Sequence, residues 1–229
     1  PALLRSPTTP RARVRGARGS TRHTVAVTEA KQSIVVLDVE GVLTPEIWIA
    51  VAEHTGVDYL RRTTRDEPDY DVLMKGRLDA LVEHGISFSA IASVIAGLEP
   101  LDGALEFLRE LESYVPVVLL SDTFEQFAGP LMAQLDHPTL LCHRLVVEDD
   151  RITDYRLRMP DQKRSAVQAF QSLNLQVIAA GDSYNDTTML TQADRGFLFR
   201  APDNVIAEFP RFPACAGYDE LLDNLLGAR

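Results

Sequence analysis

Two acids separated by one position, Asp38 and Glu40, follow the apolar run Ile34-Val-Val-Leu37 and precede Gly41. A glycine at that point lets the backbone turn sharply and come close to a ligand. Taken alone, the stretch has two readings of equal weight: a strand ending in solvated acids, or one delivering a carboxylate to a site. Two further apolar runs end in the same manner. Val115-Pro-Val-Val-Leu-Leu reaches Ser121 and Asp122, and Gln176-Val-Ile-Ala-Ala-Gly reaches Asp182. Parallel strands of one sheet bring their carboxyl ends to a common edge, where open α/β sheets bind ligands. Asp38 and Asp182 would then stand side by side, repelling by about 4 kcal/mol at a separation near 4 Å. Such a pair takes up a proton or binds a cation. Hard oxygen donors with no neighbouring imidazole or thiolate favour Mg²⁺.

The elements that must position these groups follow from pattern. Short, continuously apolar runs are the habit of parallel strands buried on both faces. Between the first and second of them, residues 45–98 read as helices only. Pro45 suits the first position of a helix, Asp69 could cap a second that Gly85 ends, and a third runs near Ser87 to Ala96. Helix is expected at 101–111, 125–134, 162–173, 203–208 and 218–226, and strand at 195–199. Short strands are expected at 140–157, around a turn at Glu148-Asp149-Asp150-Arg151. The fold class is therefore α/β, with a parallel, Rossmann-like sheet core (residues 31–44 and 99–229). A small helical cap (45–98) is inserted after the first strand, and residues 1–30 form an extension.

Composition narrows the function. The chain has 229 residues, a formal net charge of −10 and 45% apolar residues. Six arginines against one acid give residues 1–30 a net +5, so the remainder carries −15. An acidic body argues against a nucleic-acid partner and suits an enzyme that recruits a divalent cation. No apolar run reaches the roughly 18 residues of a membrane helix. Cys142 and Cys215 form neither a metal-spacing motif nor a disulfide framework, and the five histidines show no ligand spacing. Residues 1–30 are expected to be disordered. They have the character of an organelle transit peptide, a cloning remnant or an upstream-misassigned start, so cytoplasmic localisation is expected with organelle targeting as the alternative.

Read together, Asp38-Val-Glu40-Gly41-Val, Leu120-Ser121-Asp122-Thr123, Lys163 and Gly181-Asp182-Ser183-Tyr184-Asn185-Asp186 resemble, in order, the four motifs of haloacid-dehalogenase-type phosphatases. Glu40 stands where that family usually has aspartate. With Pro45-Glu46-Ile-Trp48, Thr64-Arg65-Asp66 and Pro68-Asp69-Tyr70-Asp71, it makes the chain similar to the phosphoserine phosphatases that also transfer phosphate to homoserine (the ThrH type). The resemblance implies Asp38 as nucleophile and Glu40 as general acid. It also implies Mg²⁺ held by Asp38, Asp182 and the Glu40 carbonyl, with Asp186 supporting the metal. Ser121, Asp122, Lys163 and Asn185 are expected around the phosphoryl group, and Glu46 and Arg77 around the amino and carboxylate groups of phosphoserine. The implied partners are small molecules, phosphoserine and homoserine as an acceptor, with no nucleic acid, no membrane and a homodimer left open. Two alternatives remain: a related phosphatase of another small phosphate ester, and an inactive binding domain of the same fold.

Overall fold

The computed structural model describes residues 31–229 except Arg65 and Pro68. The expectations for residues 1–30, and the parts of the cap motifs carried by Arg65 and Pro68, lie outside the described residues. Among those described, seven strands form one sheet in the order β4-β3-β2-β1-β5-β6-β7. The strands are β1 (Gln32–Leu37), β2 (Val117–Phe124), β3 (Leu140–Glu148), β4 (Arg151–Arg156), β5 (Leu175–Gly181), β6 (Arg195–Phe199) and β7 (Ala214–Cys215). All neighbours are parallel except β3 and β4, which form an antiparallel hairpin at one edge. This is an α/β fold, and β1 lies at its centre with β2 and β5 on its two sides.

Alternation along β1 divides the core. Val35 and Leu37 point into one apolar layer, Ile34 and Val36 into the other, and all four are buried. The first layer also holds the side chains of α1 (Ile47–Thr55), α3 (Phe88–Ala96), α4 (Ala104–Tyr114), α5 (Glu125–Gln134) and α9 (Tyr218–Gly227). The second layer is covered by α6 (Gln162–Ser172), α7 (Thr187–Gln192) and α8 (Asp203–Glu208).

Between β1 and α4 the described chain contains α1, a 3₁₀ turn (Asp58–Arg61), α2 (Tyr70–Glu83) and α3, and no strand. Asp69 caps α2 by accepting from the amides of Asp71 and Val72 at 3.0 and 3.2 Å. Gly85, with φ of 63°, ends it in the left-handed conformation that favours glycine. Both ends of this insertion meet at one point: the Leu101 amide donates to the Leu43 carbonyl at 2.9 Å. The insertion is also fastened to the β3–β4 hairpin. The Ser89 amide and hydroxyl donate to Asp150 at 2.8 and 2.6 Å, and the Tyr155 hydroxyl donates to Asp71.

Three expectations need correction. Pro45 is not the first residue of a helix. Its neighbour Glu46 is extended and acts as N-cap, so α1 begins at Ile47. The helix expected from Leu101 begins at Ala104, because Leu101 is held by Leu43 and Gly103 takes a φ of 83°. The strand expected to stop at Ser121 runs on to Phe124, although its pairing with β3 slips there: Leu120 faces Leu141, but Phe124 faces His143. Four residues of β2 thus advance against two of β3. A bulge of this kind bends the strand and re-aims its side chains, here those of Ser121, Asp122 and Thr123.

Candidate active site

The carboxyl ends of β1, β2 and β5 bring their polar residues to one place. Asp38, Ser121 and Asp182 are all buried, and with Glu40, Glu46, Arg77, Asp122, Lys163 and Asn185 they line one cavity of about 80 Å³. Every site residue singled out from the sequence is therefore in this wall except Asp186, which lies directly behind it.

The local folding explains the placement. The Asp38 amide donates to the Ala180 carbonyl of β5 at 3.0 Å, fixing the chain just past the end of β1. Gly41 then turns with φ of 81°, and a Cβ there would stand 2.4 Å from a carboxylate oxygen of Asp182. Only glycine allows the two loops to approach so closely. After β5, Asp186 folds back: one of its oxygens accepts from the amides of Asp182 and Ser183 at 3.0 and 3.1 Å. A Cβ on Gly181 would come within 2.4 Å of that side chain.

Lys163, at the start of α6, donates to Asp38 and Asp186 at 2.8 Å each and lies 3.7 Å from Asp122. Burial alone would lower its pKa, but these carboxylates hold the ammonium well above its ordinary value. Asp38, Asp182 and Asp186 each offer an oxygen within 4.8 Å of the others. Burial first, then Asp186, push the Asp38 carboxyl well above the usual range against the pull of Lys163. Burial and Asp186, with Glu46 adding to them, bring Asp182 to about 7. One ammonium cannot neutralise four neighbouring acids. The donor set, all hard oxygens, fits a divalent cation of the Mg²⁺ type.

Glu40 is arranged differently from Asp38. Its carboxylate accepts from the Ile47 amide at 3.0 Å and so caps the N-terminus of α1. Burial nonetheless raises its pKa, with the Ile47 amide, Thr123 and Arg77 only opposing the shift. Both acids face one cavity, but Asp38 is held by the lysine and Glu40 by a helix amide, so the two are positioned for different work. Ser121 accepts from the Thr123 amide at 3.1 Å, and its own proton can donate into the cavity. The Asn185 amide donates to Asp122 at 3.2 Å.

Arg77 reaches the cavity from α2 and is only 6% exposed. Its guanidinium donates to the Arg62 carbonyl at 2.7 Å and stacks on Trp48, with 4.7 Å from carbon to ring centroid. Among the described residues its Nε has no hydrogen-bond partner. A buried, partly unsatisfied guanidinium costs stability, and such groups are retained where an anion completes them. Glu46 lines the same cavity.

Pattern reading assigned no part to His143, Gln162, Tyr70 or Thr123 as individual side chains. Tyr70 donates to the Asp122 carbonyl at 3.1 Å, and Gln162 donates to the Asp122 carboxylate at 3.1 Å. His143, one of the five histidines without ligand spacing, is buried 3.4 Å from the same carboxylate. A lone histidine inside a strand carries no local signal; pairing of β2 with β3 makes it a neighbour of Asp122.

A parallel α/β sheet with an acid pair just after its first strand, a lysine on that acid and a carboxylate cluster beside it defines a hydrolase-type site. The chain belongs to the haloacid dehalogenase-like hydrolase family, whose sequence profile matches residues 45–191. It is 58% identical over 204 residues to a phosphoserine phosphatase of Pseudomonas syringae pv. tomato, spanning 89% of this chain and 86% of that protein. It is 59% identical over 196 residues to the phosphoserine phosphatase ThrH of Pseudomonas aeruginosa, spanning 85% and 96%. Among solved structures, a phospho-aspartyl intermediate analogue of phosphoserine phosphatase superposes with a TM-score of 0.71 at 18% identity. That match covers 86% of this chain and all of the other, and bears on the fold alone.

Proposed function

We propose that the protein is an Mg²⁺-dependent phosphoserine phosphatase working through an aspartyl phosphate on Asp38, with homoserine as an alternative phosphoryl acceptor. The observation that carries the reading is the shared cavity. One small space is lined by a lysine-bound carboxylate, a second carboxyl held by a helix amide and an incompletely paired arginine beside a glutamate. The substrate is supported by the two relatives named as phosphoserine phosphatases.

An Asp38 oxygen attacks phosphorus, and the bond from phosphorus to the serine oxygen breaks. Glu40 gives that oxygen its proton. In the second half, water or the homoserine hydroxyl gives its proton to Glu40 while its oxygen attacks phosphorus. The bond to Asp38 then breaks, which restores both carboxyl groups. Lys163, the Ser121 hydroxyl and the Asn185 amide steady the charge on the phosphoryl oxygens. The Arg77 guanidinium takes the substrate carboxylate and Glu46 its ammonium, a pairing that an amino-acid ester needs and a simple alkyl phosphate lacks. Asp38, Asp182 and the Glu40 carbonyl would hold Mg²⁺, with Asp186 steadying Asp182. The ion, when bound, neutralises phosphate charge that would otherwise repel an anionic attacker.

The test is phosphate release from L-phosphoserine, with and without a chelator, in the native chain and in Asp38→Asn. Release should need Mg²⁺ and vanish in the variant; turnover surviving in Asp38→Asn would sink the mechanism. Adding homoserine and following phosphohomoserine decides the transfer branch.

A further inference from the structure

Asp122 divides its two carboxylate oxygens between two sets of partners. One accepts from the Gln162 amide at 3.1 Å and lies 3.4 Å from His143 Nε2. The other accepts from the Asn185 amide at 3.2 Å and lies 3.7 Å from Lys163 Nζ. The second set, Asn185 and Lys163, lines the candidate-site cavity; Gln162 and His143 lie outside its wall. His143 is itself fixed. Its Nδ1 accepts from the Arg158 backbone amide at 3.1 Å, and the Tyr70 ring packs edge-on against it with centroids 6.1 Å apart. An imidazole that accepts at Nδ1 carries the proton of its neutral form on Nε2, the atom turned to Asp122. This network borders a second cavity of about 330 Å³ next to the first.

We infer that His143 is a positioning residue: through Asp122 it sets where the Asn185 amide and the Lys163 ammonium stand against the phosphoryl group. A carboxylate with donors on one side only would swing toward Lys163, which already serves Asp38 and Asp186. The Gln162 and His143 contacts hold Asp122 back, so the ammonium stays between its two close carboxylates. Tyr70 closes the network from α2 through its bond to the Asp122 carbonyl. The alignment is thus shared between the sheet and the helical insertion.

The inference rests on Asp38 as nucleophile but not on the identity of the alcohol, so p-nitrophenyl phosphate serves as substrate with Mg²⁺ present. Native chain that fails to turn it over removes that reading and this inference with it; turnover there makes the variants decisive for His143 alone. His143→Leu should lower kcat at least tenfold with KM moved less than threefold. His143→Gln, whose amide can still donate to Asp122, should recover most of the loss. Adding His143→Leu to Asp122→Ala should lower kcat by less than a further twofold, since the histidine acts through that carboxylate. Inhibition by inorganic phosphate should weaken in step with kcat. Should the leucine variant not fold, His143→Asn, too short to reach Asp122, takes its place. Losses that multiply in the double variant, no rescue by glutamine, or unchanged kcat would each overturn the role.

Discussion

Glu40 and Arg77 are the residues whose environments say most about what they are for. Burial raises the Glu40 carboxyl, so it keeps its proton to higher pH than an ordinary glutamate. Its proton-donating step should weaken as pH rises through that raised value. Glu40→Gln should cut kcat by about a hundredfold or more and remove the alkaline limb of the kcat profile, read by stopped assays across pH. A variant profile with its alkaline limb intact would assign that limb to another group. Arg77 makes the opposite trade, since its buried Nε lacks a partner among the described residues. Arg77→Met should leave the thermal midpoint unchanged or higher. The same substitution should raise KM for phosphoserine at least tenfold while sparing p-nitrophenyl phosphate. A fall in midpoint with equal losses on both substrates would make Arg77 a structural residue.

At the level of elements, two glycines set the distance between the loops that follow β1 and β5. Gly41→Ala meets both a left-handed backbone and a carboxylate oxygen of Asp182 at 2.4 Å, so the loops must part. It should abolish turnover and weaken the thermal shift on adding Mg²⁺, while circular dichroism still reports the native helix content; an alanine variant with native kcat would refute the packing argument. Much of this frame was legible beforehand. The apolar runs before Asp38 and Asp182 gave themselves away, because strands buried on both faces need no polar residues until they end. The end of β2 was not legible, since a slip in pairing belongs to two strands and leaves no mark on one. Ser121 could be picked from the sequence and His143 could not, because the nearness of His143 to Asp122 comes from the pairing of two strands. The helix starts shifted from Pro45 to Ile47, whose amide the Glu40 carboxylate takes, and from Leu101 to Ala104, because the Leu101 amide is held by Leu43 and Gly103 turns left-handed.

For the whole molecule, the concentration of acids around one lysine couples stability to pH and to metal. Asp182 titrates near 7 in the folded chain, well above an ordinary carboxyl. The folded state therefore holds a proton that the unfolded state has lost, and the metal-free protein loses stability as pH rises from about 4 toward 7. A cation that takes the ionised form cancels this penalty. Mg²⁺ should raise the melting temperature more at pH 8 than at pH 5, by calorimetry on chelator-treated protein; an equal shift at both would remove the coupling. The parallel architecture and the convergence of Asp38, Ser121 and Asp182 could be foreseen, because parallel strands of one sheet align their carboxyl ends. The fastening of α2 and α3 to the hairpin could not, as Asp150 and Tyr155 are ordinary surface types. One such contact reaches further than its size. Leu43 and Leu101 sit a single hydrogen bond apart, so residues 44–100 leave the sheet and return to it at one doorway. Doubling the chain spanned there would cost only about 0.6 kcal/mol in closure entropy. The doorway is thus a natural splice point. A longer or shorter segment can be spliced between Leu43 and Leu101 while β1, β2 and β5 keep their register.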